Sequence, residues 1–430
     1  MTISEDPPSP LWASLSRETF SAARLEGTYE TDVAVVGAGI SGLSTALHLA
    51  RSGTNTLVIE AGEIGAGASG RNNGQVIPTL TRHDPNAVLK ALGPDRGDRF
   101  LRLLEGSADL LFETATRYGI DCDAVRNGWI QPAHSEARAR IAARRAEQWQ
   151  ARGVAAEVLG REEIATHLGS AAYYGGWRLP SGGHINPLAF TRGLARAAVG
   201  EGASVFAHSP VTSLSRNRTG WLVSTSTGSI RASKVVLATA AYSGSIWPEL
   251  ARSIVPVTSY QVATQPLGQL AETILPNDEA CSDTRMDLRY FRKDRDSRLV
   301  SGGALALQAF AKHRVPRLVM RRLEEIFPQL KGVRADFFWG GRIAMTLDRL
   351  PRLHRSADGL ISWIGCNGRG LALSMAMGSV VEDAVHGASD AELPLELTSP
   401  QAVPLSPLVN RIARLVLPYY RYRDRRELSG

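Results

Sequence analysis

Residues 33–42 read VAVVGAGISG, and few segments restrict a fold as tightly. A continuous apolar run, DVAVV (32–36), enters a cluster of three glycines, Gly37, Gly39 and Gly42, spaced G-x-G-x-x-G. Residues 40–52 then read as a helix with Leu43, Ala46, Leu47 and Ala50 on one face. A second buried strand, TLVIE (56–60), ends in Glu60, 18 residues after Gly42. Strand, glycine turn, helix, strand and terminal carboxylate together describe a dinucleotide-binding βαβ unit. Gly37 permits the tight turn, Gly39 lets the backbone approach a pyrophosphate, and Gly42 lets helix and strand pack closely. The free N–H groups of the helix N-terminus hold the negative charge, and Glu60 accepts hydrogen bonds from the ribose.

The dinucleotide is read as FAD. A second glycine-rich stretch, GEIGAGASGRNNGQ (62–75), follows Glu60 directly, as a longer cofactor with its own ring system needs. No other strand–GxGxxG–helix unit occurs, so no NADPH domain is evident. Cys122, Cys281 and Cys366 are far apart and read as reduced thiols, not a CxxC pair. Electrons must then come from an organic substrate. That excludes disulfide reductases and points away from NADPH-dependent monooxygenases.

At 430 residues the chain is long enough for two packed domains. The formal charge of +7 would favour an anionic substrate kinetically. No basic run interleaved with aromatics appears except near the C-terminus, so no nucleic-acid partner is expected. There, Arg411, Arg414, Arg421, Arg423, Arg425 and Arg426 surround VLPYY, read as a terminal helix that packs by its apolar face and solvates its arginines. No 18-residue apolar stretch predicts a membrane-spanning helix. The acidic, proline-bearing N-terminus lacks the character of a secretory signal, so a cytoplasmic location is expected. Residues 87–150 look helical, 185–202 helical, SVFAHSPVTSL (204–214), WLVSTSTG (221–228) and ASKVVLAT (232–239) read as strands, 254–310 is mainly strand-like, and 315–330 helical. Residues 360–387 read as strand, glycine turn and helix. The chain leaves its nucleotide-binding unit twice and returns to it, which predicts discontinuous domains.

The run 32–75, GGHINPLAFTRGLARAA (182–198), VVLATAAYSG (235–244), FFWGGRIAMTLDRLP (337–351) and WIGCNGRGLALSMAMG (363–378) resemble the D-amino-acid oxidase superfamily. The nearest resemblance is to bacterial γ-glutamylputrescine oxidoreductases and to glycine and sarcosine oxidases. It implies an α/β (α+β) fold in which a mostly antiparallel substrate domain covers the flavin face of a Rossmann-like FAD domain. The expected boundaries are 28–86, 153–244 and 341–390 for the FAD domain, 87–152 and 245–340 for the substrate domain, and 391–430 for a C-terminal extension. By position, Gly37, Gly39, Ser41 and Gly42 would hold the pyrophosphate and Glu60 the ribose. Ser69, Arg71, Asn73, Gly74 and Gln75 would line the phosphates and flavin, and Val211 would touch the adenine end. Gly368, Arg369, Gly370 and Leu371 would lie at the pyrimidine edge. A helix opening at GRG (368–370) would also stabilise the negative charge that develops there on reduction.

The chain departs from the pattern in two places. The cysteine that sarcosine-type oxidases link to FAD is matched by Gly341, so FAD is expected to be non-covalent. The family's Gly-His-Gly turn reads Gly-Arg-Gly. The Gly-Asp signature usual in NADPH-dependent hydroxylases is absent.

Oxidation of a CH–NH bond to an imine, by hydride transfer to flavin N5, needs orientation, exclusion of water and a counter-charge for any substrate carboxylate. Arginine suits the last task. Arg292 and Arg342 are the leading candidates, followed by Arg289 and Arg369. Tyr260, Tyr290 and Trp339 would form an aromatic wall, while His184 reads as structural. No Ser/His/Asp order or metal-ligand spacing stands out. The expected activity is FAD-dependent oxidation of a small amine or amino acid, including secondary amines and γ-glutamyl polyamines, with O2 or another acceptor. Two alternatives remain: a flavin dehydrogenase or oxidative cyclase acting on a non-amine such as a hydroxy acid, and a non-catalytic flavin-binding or membrane-associated protein.

Overall fold

The structure is a computed structural model that describes residues 9–406, 409 and 412–427. Arg411 lies outside the described residues, as does the side chain of Arg414. Among the described residues the strands form a nine-stranded sheet, an eight-stranded sheet and a small two-stranded one.

Gly27–Val36 lies at the centre of the nine-stranded sheet. It runs parallel to Thr56–Ile59 on one side, with Val33 opposite Thr56, and to Gly228–Leu237 on the other, with Val33 opposite Lys234. Ser204–Phe206 and Ile361–Ile364 extend the parallel set outward. The apolar run is continuous because both faces are covered. Val33 and Val35 pack into the core beneath the helices, while Ala34 and Val36 belong to a second core cluster with Trp221, Val223 and Ile230.

The helices Ile40–Arg51 and Gly370–His386 lie against each other so closely that a Cβ on Gly378 would sit 2.2 Å from Ser44 Oγ. Ser44 Oγ donates to Met375 O at 2.8 Å and ties the pair together. Both helices begin at the same end of the sheet, which places two helix N-termini side by side.

The eight-stranded sheet is antiparallel at every pairing except Ala280–Ser282 beside Trp129–Pro132. Three details differ from the sequence-based expectation. Residues 87–150 are not helical throughout: helices Pro85–Leu92, Pro94–Glu105 and Ser107–Arg117 give way to the strand Trp129–Pro132 before Glu136–Gln150 begins. Gly119 and Gly128, at φ +55° and +108°, interrupt the helical path, and burial of Trp129 and Ile130 fixes the strand. The strands Glu157–Leu159 and Gly176–Leu179 hydrogen-bond into this second sheet, although residues 153–244 were expected to belong with the nucleotide domain. Likewise Ala335–Met345 continues in the second sheet past residue 341. Among the described residues no helix is long and apolar enough to cross a membrane.

Candidate active site

A cavity of about 910 Å³ runs from the two helix N-termini to the inner face of the second sheet. Its size is at the upper end of small-molecule sites, roughly 300–1,000 Å³. The first wall is the glycine turn. Gly37 has φ +108°, and a Cβ there would meet Ala238 O at 2.9 Å. A Cβ on Gly42 would fall 1.9 Å from Gly37 O, and one on Gly39 would fall 2.7 Å from Ser69 Oγ. The cavity wall proper begins at Gly39, Ile40 and Ser41. Ser69 Oγ accepts from Ile40 N at 2.9 Å, and the Trp363 indole N–H donates to Ser41 Oγ. Glu60 joins the two glycine stretches by accepting from Ala38 N at 2.8 Å and from Gly62 N at 3.0 Å. Spare lone pairs on both its oxygens suit ribose hydroxyls. Val211 packs at the edge of the core that holds Val36 and Ile59, beyond the cavity wall.

The second glycine stretch forms the adjoining wall through Ser69, Arg71, Asn73, Gly74 and Gln75. Asn73 Nδ2 donates to Gln261 Oε1 at 3.2 Å, and Gln75 Nε2 to Cys281 O at 2.8 Å, so both side chains bridge to the second sheet. Asn73 Oδ1 and Gln75 Oε1 are buried with no hydrogen-bond partner among the described residues. Such orphaned acceptors cost about 1–3 kcal/mol each unless a ligand donor reaches them. Two orphaned amides beside two helix N-termini fit a flavin with its pyrophosphate. Gly341 also lines the cavity, with Arg71 Cβ 3.4 Å from where its Cβ would stand. It offers no nucleophile for a covalent link.

The opposite wall is the turn at 365–370. Gly365, Asn367 and Gly368 have φ of +84°, +52° and +87°. Asn367 holds this conformation by accepting from Thr346 N at 2.9 Å and donating to Gly365 O at 2.7 Å. Gly368, Arg369, Gly370 and Leu371 all line the cavity, and the helix Gly370–His386 opens on it. The Arg369 guanidinium is buried, donates to Thr79 Oγ1 and to Leu80 O, and lies 4.7 Å from the centre of the Trp129 ring. Its Nη2 has no partner among the described residues. Burial, reinforced by Arg145 and Arg82, pushes its pKa down to about 9.

The remaining substrate candidates are dispersed. The structure does not bring Arg292 to the cavity. Its guanidinium is buried above the Trp12 ring and donates to Asn73 O, Ile185 O and Lys293 O at 2.8–2.9 Å. Arg289 pairs with Glu325 at 2.7 Å, away from the wall. Arg342 does line the cavity, over the Tyr242 ring. Tyr290 lines it too, its hydroxyl accepting from Gln261 Nε2 at 2.8 Å. Burial raises the Tyr290 pKa and keeps the phenol protonated. Tyr260 stacks on Phe338, and Trp339 donates to Arg71 O at 2.9 Å; both stand behind the wall. His184 is buried against Asp278, and burial lowers its pKa.

Sequence reasoning missed Asn72, Ser259, Gln261, Arg82, Arg349, Asn367 and the C-terminal helix, all of which contribute to the wall. Only Asn72 and Asn367 carried a local signal, as polar residues inside glycine turns. The C-terminal helix Val416–Arg426 does more than solvate arginines. Tyr420 lines the cavity, Asp424 accepts from Met286 N and Asp287 N at 2.8 and 3.0 Å, and Arg421 pairs with Asp287 at 2.6 Å. At its end Glu427 takes both forks of Arg138 at 2.7 Å.

The family model for FAD dependent oxidoreductase (DAO) matches residues 32–384. The chain is 34% identical over 364 residues to gamma-glutamylputrescine oxidoreductase of Escherichia coli (strain K12), covering 84% of each chain. It is 25% identical over 369 residues to glycine oxidase of Geobacillus kaustophilus (strain HTA426), covering 84% of this chain and 94% of that one. Among solved structures, glycine oxidase from Geobacillus kaustophilus superposes with a TM-score of 0.70 at 23% identity, covering 83% and 95% of the two chains. L-proline dehydrogenase from P. horikoshii superposes at 0.71 and 21% identity, covering 85% and 96%. A glycine turn of dinucleotide-binding geometry, two buried amide oxygens without partners in the cavity wall and a family match over most of the length lead to one conclusion: the chain belongs to the DAO family of FAD-dependent oxidoreductases.

Proposed function

We propose that this enzyme oxidises the CH–NH bond of a small amine or amino acid, in a range that includes secondary amines and γ-glutamylated polyamines. One observation carries the reading. Among the described residues the cavity wall holds eight arginines and three aspartates but no histidine, lysine or glutamate. Each aspartate is already in an ion pair: Asp84 with Arg145, Asp283 with Arg285, and Asp287 with Arg322 and Arg421. Among the described residues no unpaired carboxylate and no imidazole stands in the wall. Removing hydride from carbon needs no general base when the substrate nitrogen enters neutral, whereas a hydroxy acid must lose a hydroxyl proton as well. That contrast favours an amine over a hydroxy acid.

FAD, when bound, supplies the hydride acceptor. The chain's own residues do the rest. Asn73 and Gln75 would present acceptors to the bound cofactor, and the helix start at Gly370 would place positive potential at the opposite wall. Tyr290, kept protonated by burial and oriented by Gln261, offers a hydroxyl to the substrate. Arg342 and Arg369 provide positive charge for a carboxylate. Electrons would leave to O2 or another acceptor, and the enzyme would work in the cytoplasm. The relationship to a gamma-glutamylputrescine oxidoreductase supports inclusion of γ-glutamyl amines.

The test is to incubate the FAD-loaded protein with amino acids, secondary amines, γ-glutamyl polyamines and matched 2-hydroxy acids, trapping carbonyl products. Carbonyl product from at least one amine and none from the hydroxy acids is the expected outcome. Product from hydroxy acids alone would reverse the assignment.

A further inference from the structure

Large apolar and aromatic side chains gather on the surface in one place. Leu405, Ile412, Leu415, Val416, Tyr419 and Tyr422 are all exposed, Leu405 by 74% and each tyrosine by 56%. No other stretch of that length among the described residues exposes more than two such side chains. A concentration of this kind marks a surface that meets a partner. Leu347, 63% exposed, joins it from a separate turn. Leu347, Ile412 and Val416 also line the cavity, so the exposed group rims its mouth.

The helix Val416–Arg426 separates two kinds of surface. Its inner face, Leu417, Tyr420, Arg421 and Asp424, is buried or half-buried. Asp424 and Arg421 hold that face to Met286 and Asp287. The outer face then presents Tyr419, Tyr422, Arg423, Arg425 and Arg426 to solvent. The Arg426 guanidinium lies over the Tyr422 ring, 5.9 Å from its centre. Residues 397–423 contain no aspartate or glutamate, and Asp424 faces inward. The carboxylates that adjoin the exposed group in sequence are already engaged. Asp348 pairs with Arg352, and Glu427 pairs with Arg138 and, at 3.6 Å, with Arg423. The face therefore joins apolar area to net positive charge.

That combination selects among partners. A second copy of the chain would set these arginines against their own images, and like charges oppose such pairing. A folded acidic protein would have to match apolar side chains that surround an open cavity mouth. A fluid anionic bilayer needs no such match. Tyrosine and arginine settle at headgroup depth, aliphatic side chains enter the acyl boundary, and anionic lipids attract the guanidinium groups. At 11 residues the helix is too short to span a bilayer, which takes about 20, and would lie along its surface.

We propose that the outer face of Val416–Arg426, with Leu347, Leu405 and Leu415 beside it, docks the enzyme on an anionic lipid bilayer. Docking sets the mouth of the cavity against the headgroup layer. The contact is independent of which substrate the cavity takes.

Vesicle flotation of the FAD-loaded enzyme tests this, with the bound fraction followed over a lipid titration. Vesicles of equal parts phosphatidylglycerol and phosphatidylcholine are compared with vesicles of phosphatidylcholine alone. Binding to the mixed vesicles is expected to be at least tenfold tighter, and to weaken as salt is raised. Tyr419→Ser combined with Tyr422→Ser should weaken it at least tenfold, at unchanged FAD content and unchanged thermal midpoint. Arg426→Glu should weaken it at least threefold, while Arg426→Lys, which keeps the charge, should bind like the parent.

No binding to the mixed vesicles, or equal binding by the parent and the double tyrosine variant, would overturn the proposal. Sedimentation without lipid examines the second copy: a dimer that the double variant loses, in a protein that does not float, assigns the face to self-association instead. Poly-L-glutamate examines the acidic protein. If it binds as tightly as the mixed vesicles and the tyrosine substitutions weaken neither, the bilayer assignment falls.

Discussion

A Cβ atom on Gly42 would stand 1.9 Å from the carbonyl oxygen of Gly37. The first turn of the helix Ile40–Arg51 and the end of the strand Gly27–Val36 therefore meet at backbone distance, and that approach aims the helix N–H groups into the cavity. Gly42→Val must push helix and strand apart. The variant should purify without the yellow colour of the parent, with FAD content reduced at least tenfold by the ratio of visible to ultraviolet absorbance. Full FAD occupancy in a folded Gly42→Val protein would show that the turn does not hold the cofactor.

Arg292 is tied into the scaffold. Burial pushes its pKa down to about 10, which still leaves it charged at neutral pH, and its donors satisfy the carbonyls of Asn73, Ile185 and Lys293. Gly74 passes so near that a Cβ there would lie 2.5 Å from Arg292 Nη2. Arg292→Ala should destabilise the fold by about 3–5 kcal/mol, the scale for breaking a buried charged network. Urea unfolding measures this. An unchanged midpoint with a raised KM would instead place Arg292 at the substrate.

Acid should weaken the fold through His354. This ring is buried and bonded to Thr398, and desolvation pushes its pKa from 6.5 down to about 4. Between those values the unfolded chain binds a proton that the folded chain does not, so stability is complete above pH 6.5 and falls as the pH drops toward 4. The full effect is about 3 kcal/mol. His354→Gln should flatten the dependence of unfolding free energy on pH across that window. An unchanged slope would show that His354 does not contribute.

The C-terminal helix is clamped by Asp424, which accepts from two successive backbone N–H groups at Met286 and Asp287. Asp424→Ala leaves those donors without a partner and frees the roof of the cavity. The variant should retain FAD, lose the C-terminal segment faster to limited proteolysis, and show a KM raised about tenfold, the equivalent of about 1.4 kcal/mol. Unchanged proteolysis and KM would mean that the helix closes nothing.

The glycine turn and the loop that follows Glu60 were legible because their signal is local. Gly37, Gly39, Gly42, Glu60 and the 68–75 loop are short-range consequences of a strand, a turn and a helix start. The substrate half was not, because it is assembled from distant segments. Arg292 and Arg82 look alike in the sequence, yet one faces backbone carbonyls and the other faces the cavity. The strand Trp129–Pro132 was hidden because a short, fully buried strand beside helices has no alternating pattern. The C-terminal helix showed its arginines and concealed Asp424, whose role depends on a loop 137 residues away.

The central claim, that this cavity passes electrons from an amine to FAD, is tested most directly by anaerobic titration of the purified enzyme while its visible absorbance is followed. Bleaching by one equivalent of amine per flavin is the result expected. A flavin that stays oxidised with every amine and amino acid, and bleaches only with a hydroxy acid, would contradict it.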